Sequence, residues 1–169
     1  MSRHPDKYNN THHAGFTLVE ALVSLVLLST ALVPTFILAT DAVSLSGRIR
    51  NSLIASSLAQ EGVEVVRAMR DANWFASQLF DTGLTACETG CRVDWSSQSP
   101  MANAKTPLKW SPDSKLYQYA DGTDSPFSRT ITISRPSDVE LVVKSEVTWD
   151  ERFTPKTVIV EYHLFDWNK

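Results

Sequence analysis

Glu20 is the residue that most needs a chemical reason. It stands inside an apolar stretch, FTLVEALVSLVLLSTALVPTFILAT from Phe16 to Thr40, and no other charge follows it until Asp41. An unpaired carboxylate inside a bilayer costs at least about 2.5 kcal/mol, so it needs a partner or a solvated place at the headgroups. Cys87 and Cys91 form the next reactive pair. Their spacing is not that of a C-x-x-C redox pair, and no further Cys or His cluster completes a zinc site. Asp113, Asp121 and Asp124 carry the oxygens a hard cation such as calcium takes. Asp121-Gly122 and Asp124-Ser125-Pro126 read better as turn formers, so neither metal nor cofactor is expected. His4, His12 and His13 crowd the N-terminus, and His163 stands alone in a strand-like run as a sheet-surface residue. No nucleophile motif, phosphate loop or paired-carboxylate arrangement appears, which speaks against an enzyme.

The elements that must carry these residues follow from an uneven distribution of apolar side chains. The 169 residues make room for one ordinary domain, and 43% hydrophobic with 21% charged residues argues against disorder throughout. A net charge of -3 leaves no electrostatic footprint for nucleic acid. Met1 to Gly15 is polar, with Arg3, Lys7 and three histidines against a single Asp6. The uncharged run that follows gives about 30 Å of helix, the thickness of a bilayer core. Basic residues on its N-terminal side predict an N-in, single-pass topology with the rest of the chain outside. An ordinary secretory signal fits less well. The run is longer than a usual h-region, and Ala39-Thr40-Asp41 is a poor cleavage site, so the segment is expected to be kept. Pro34 removes one backbone hydrogen bond and predicts a kink or a loosened turn.

The string Gly15-Phe16-Thr17-Leu18-Val19-Glu20 before the apolar helix resembles the cleavage and methylation signature of type IV prepilins and type II secretion pseudopilins. The resemblance implies that a prepilin peptidase cuts after Gly15, leaving residues 1–15 as a leader, and N-methylates Phe16. It also implies that Glu20 pairs with the N-terminal amine of a neighbouring subunit, which would supply the missing partner. Ala59-Gln60-Glu61-Gly62-Val63-Glu64, with Arg70-Asp71 and Asn73-Trp74 beyond it, is similar to a stretch of minor pilins and I-type minor pseudopilins. Glutamate and arginine on one helix face also read as ordinary i,i+4 support on a solvated surface.

Above Thr40 the helix turns amphipathic. Leu45, Ile49, Leu53, Ser56, Ala59, Val63 and Val66 recur at helical spacing, widened by Ile54, Leu58, Val65 and Met69. Arg48, Arg50, Gln60, Glu61, Glu64, Arg67 and Arg70 are expected on the wet face. One helix from about Phe16 to Phe80 is predicted, with residues 16–40 in the membrane and 41–80 packed on a head; two helices joined near Gly47 are the alternative. In an exported domain Cys87 and Cys91 are expected to close a small disulfide loop that holds the helix exit, two free thiols being the other possibility. Residues 96–125 read as loop, with a short strand at Leu116–Tyr119. Phe127–Arg135, Val139–Trp149 and Lys156–Phe165 alternate apolar and polar residues and read as strands joined by tight turns. Trp149 and Trp167 are expected in the core or at a sheet edge. The predicted fold is therefore α+β and pilin-like: a long N-terminal helix packed on a three- to four-stranded antiparallel sheet in residues 81–169.

The function expected from this is a minor pilin or pseudopilin. Its implied partners are prepilin peptidase, other pilins, an inner-membrane assembly platform and membrane lipid, with no nucleic acid. The alternative is a singly anchored extracytoplasmic binding or adhesion module that never polymerises.

Overall fold

In a computed structural model, residues 15–102 and 106–166 are described. They fall into two compact units, divided between Leu45 and Ser46. Helix α1, Leu18–Phe75, is a single helical element through both Pro34 and Gly47. In the first unit its apolar side chains are exposed, and four of its hydroxyls are satisfied locally. Ser29, Thr30, Thr35 and Thr40 return their hydroxyls to the carbonyls of Val26, Leu27, Ala31 and Ile37.

The second unit is the head. Its sheet has the order β2-β1-β3-β4-β5, antiparallel throughout, with β1 Pro107–Ser111, β2 Leu116–Gln118, β3 Thr123–Ser137, β4 Glu140–Glu151 and β5 Thr154–Phe165. Among the described residues, five strands replace the expected three or four. The extra one is β1, hidden in a stretch whose Ser, Pro and Asp content reads as loop; Leu108 within it is wholly buried. The strand foreseen near Leu116 is β2. Asp121-Gly122 does lie in a bend, and Gly122 has φ 126° with its α-carbon against the Trp110 carbonyl. Asp124-Ser125-Pro126 forms no turn, because β3 begins earlier than its alternation suggested. The β4–β5 hairpin pairs twelve residues without a register shift and closes on Arg152 and Phe153, at φ 48° and 65°. Two left-handed residues make the primed turn that suits strand twist. Non-glycine residues there cost about 1–2 kcal/mol each.

One face of β3 and β4 is covered by α1. Phe127, Arg129, Ile131 and Ile133 alternate inward on β3, and Leu141, Val143, Ser145, Val147 and Trp149 on β4. Ala55, Leu58, Ala59, Gly62, Val63, Val66 and Met69 form the matching helix stripe. Each buried Leu or Val contributes about 1.5–3 kcal/mol. The stripe starts higher than its period suggested: Leu45, Ile49 and Leu53 are exposed. Trp149 is in the core as expected, while Trp167 lies outside the described residues.

The helix ends at Phe75, not near Phe80. Gln78 N–H donates to the Asn73 carbonyl (2.9 Å) and Ser77 N–H to that of Trp74 (3.0 Å), with Ser77 at φ 55°. This is the Schellman arrangement, which usually has glycine where Ser77 stands, so the sequence gives little warning of it. The Asn73 side chain then donates to the carbonyls of Phe80 and Thr82 and fixes the exit.

Candidate functional site

The candidate site is the N-terminal end of α1. Gly15, Phe16 and Thr17 precede the helix and are exposed. Thr17 is its N-cap: Glu20 N–H donates to Thr17 Oγ1 at 3.2 Å, and Ala21 N–H to the Thr17 carbonyl at 3.1 Å. Glu20 occupies the third helical position, so Thr17-x-x-Glu20 has the pattern of a capping box. The helix dipole also favours a carboxylate in the first turn. Glu20 therefore has a local reason for its place besides the intersubunit pairing implied by resemblance. Sequence reading passed over Thr17, although a Thr three residues before a Glu at the mouth of an apolar run is the signal that reveals it. A Cβ added at Gly15 would meet nothing within 4 Å. The chain's own packing therefore sets no requirement for glycine there.

The head holds the second set of singled-out residues. Cys87 and Cys91 form a disulfide, and both are buried. Gly90 between them has φ 106°, and the Cys91 backbone pairs with Ile131 on β3, so the loop is stitched to the sheet. The Glu61-Gly62 and Arg70-Asp71 stretch is a helix-to-sheet joint. Gly62 lies so close to β3 and β4 that a Cβ would stand 2.7 Å from Ser145 Oγ and 2.8 Å from Ile131 Cδ1. Glu61 pairs at 3.1 Å with Arg129, whose guanidinium also donates to the Leu58 and Val93 carbonyls. Arg70 was expected on the wet face and is instead buried. It bonds Asp71 at 2.7 Å, donates to the Phe165 carbonyl and stacks 4.3 Å over Trp74. Its long stem covers apolar surface, while Nε, Nη1 and Nη2 each find an acceptor in Asp71 or the Phe165 carbonyl.

Arg129 is the residue that sequence reading missed. It lies in an alternating strand, where an inward position is no sign of a buried cation. Asp94 is a second: its buried carboxylate accepts from Ser96, Ser97 and the Tyr119 N–H. Burial pushes its pKa up, but the Ser96, Tyr119 and Ser97 hydrogen bonds outweigh this and hold it below the usual carboxylate range. Asp113 sits in the β1–β2 turn and Asp121 in the β2–β3 bend. No cluster of three metal-competent side chains occurs among the described residues. His163 is on the sheet surface with Nδ1 2.6 Å from Glu140 Oε1, and this hydrogen bond raises its pKa.

Comparison with known families matches residues 10–36 to the prokaryotic N-terminal methylation motif. The match covers Gly15, Phe16 and Glu20 and runs into the apolar helix. That helix contains a segment long and apolar enough to cross a membrane, none of it buried within the chain. No curated protein and no solved structure matches the chain.

Proposed function

We propose that this chain, a type IV prepilin-like protein by its N-terminal methylation motif, is a minor filament subunit. It serves as a minor pilin or pseudopilin that helps initiate, modify or cap a type IV pilus or a type II secretion pseudopilus. The observation that carries this reading is the motif match over residues 10–36, which runs into the unburied apolar part of α1. Motif and helix together point to a membrane-anchored structural subunit rather than an enzyme.

In this reading prepilin peptidase cuts the Gly15–Phe16 bond and methylates the Phe16 amine. The chain waits in the inner membrane with its N-terminus cytoplasmic and its head outside, then passes to the assembly platform and other pilins. The new amine lies one residue before the Thr17 cap. A neighbouring subunit's Glu20 neutralises it when the helices dock, and two buried charges that pair on assembly tolerate burial that neither tolerates alone. Large apolar side chains exposed from Leu18 to Leu53 support the reading, since lipid before assembly and other helices after it would cover them.

Processing is the test. Gly15→Val does not disturb the fold, since the space beside Gly15 is open. Intact-mass measurement of the chain expressed with a prepilin peptidase should give a precursor longer by residues 1–15 for the variant. The wild type should give a mature form beginning at N-methylated Phe16. Identical masses would overturn the assignment. Full processing with no recovery in any sheared filament fraction would favour the singly anchored binding module.

A further inference from the structure

We propose that the β4–β5 hairpin tip is a second membrane contact, which lays the head against anionic phospholipid headgroups while the chain is anchored. This rests on the anchored reading above. Phe153 at the tip is fully exposed, and the primed turn it forms with Arg152 presents its ring away from the head. Beside it, Arg48, Arg152 and Lys156 line a surface cleft of about 260 Å³ together with Glu151 and Thr154. Glu151 is bonded to Arg48 at 2.9 Å, and with Asp150 on the same hairpin two carboxylates stand among three cations. In a chain of net charge -3 this basic cluster is local.

An aromatic tip ringed by arginine and lysine is the composition that seats a segment at the headgroup boundary. The ring enters the acyl edge, and the cations meet phosphate. The bilayer is favoured over a soluble partner by chain connectivity. Arg48 follows Asp41, the first charge beyond the uncharged run, by seven residues. Whatever the orientation of the head, the backbone cannot carry Arg48 more than about 25 Å from that point. Glu151 then ties the hairpin to Arg48. The far hairpin of the sheet, at Asp138 and Val139, has no such tether: its side of the head is bound instead to the end of α1, through Arg70 and the Phe165 carbonyl.

The test uses the full chain in vesicles of phosphatidylcholine, with and without phosphatidylglycerol. A fluorophore is attached at Thr154→Cys, and at Val139→Cys as control, and quenched by nitroxide on lipid headgroups. Flotation with the vesicles is read in the same tubes. At residue 154, quenching should rise about twofold or more with phosphatidylglycerol. It should fall to the control level in high salt, with Arg152→Glu plus Lys156→Glu, or with Phe153→Ser. Equal quenching at 154 and 139 in floating protein would overturn the hairpin contact and leave the anchor standing. Protein that fails to float would overturn the anchor and the hairpin contact with it.

Discussion

Replacing Arg129 with methionine asks whether a buried cation holds the head together. The side chain is wholly buried, and its guanidinium donates to Leu58 O at 2.7 Å, Val93 O at 2.5 Å and Glu61 Oε1 at 3.1 Å. Helix, disulfide-loop exit and sheet therefore meet on one group. Methionine fills much of the same volume, so the change removes donors more than packing. Each carbonyl loses a bond to a charged donor, worth about 1.5–3 kcal/mol. Against this, the burial cost of the cation is recovered, and its Nε has no hydrogen-bond partner among the described residues. The balance is a loss of about 3 kcal/mol, two carbonyl bonds to a charged donor at the lower end of that range.

Glu61→Gln is the control. Its side chain is 32% exposed, and the two carbonyls keep Arg129 satisfied, so about 1 kcal/mol or less is expected. Urea unfolding of the full chain in mild detergent, followed by tryptophan fluorescence, separates the two. With a slope of about 2 kcal/mol per molar, Arg129→Met lowers the midpoint by about 1.5 M and Glu61→Gln by about 0.5 M or less. Equal shifts would mean that the ion pair, not the carbonyl bonds, carries the interaction, and the reasoning would be refuted. An unmoved Arg129→Met midpoint would refute it equally.

Two further outcomes follow from distances given above. Gly62→Val places its Cβ 2.7 Å from Ser145 Oγ and adds two methyls beyond it, so the helix must lift from the sheet. A loss of about 1–3 kcal/mol is expected in the same unfolding assay, and a variant as stable as wild type would show that the joint is loose. The exposed His163 ring has its pKa raised above 6.5 by its hydrogen bond to Glu140. The linked stability is therefore fully present below the unfolded value and is lost as pH rises through the folded one. NMR titration should place His163 above an ordinary histidine in wild type and return it toward 6.5 in Glu140→Gln. An unchanged value in that variant would remove Glu140 as the cause.

Elements built on strong periodicity were the readable ones. An uncharged run from Ala21 to Thr40 reads as a helix of membrane length more readily than as a secretory signal, and the alternation in Thr130–Ile133 and Val142–Val147 marks the central strands. What escaped lay where several weak preferences compete. β1 is short, opens with Pro107 and lies among turn-forming residues, so its buried Leu108 carries little signal alone. The helix end depends on Ser77 adopting a conformation that glycine normally announces. Leu45, Ile49 and Leu53 continue the helical period, but the sheet does not reach them, and period cannot report where a partner stops. At the candidate site the same division holds. Gly15, Phe16 and Glu20 stand out by type and spacing, whereas Arg129 and Arg70 look like any surface arginines until tertiary structure buries them.

The bond from Arg70 to the Phe165 carbonyl links residues 95 apart in sequence. Arg129 meets Leu58 across 71 residues. These separations make the head a late folder with high contact order, because the ribosome finishes α1 long before it makes the strands that cover it. Until β3 and β4 exist, the stripe from Ala55 to Met69 has no cover, and until β5 exists Arg70 has no carbonyl at position 165 to close on. A chain truncated within β5 would lack the buried Leu164 and the Phe165 carbonyl, and the end of α1 would stay unsealed. Completion of β5 thus decides when the head closes over the end of α1.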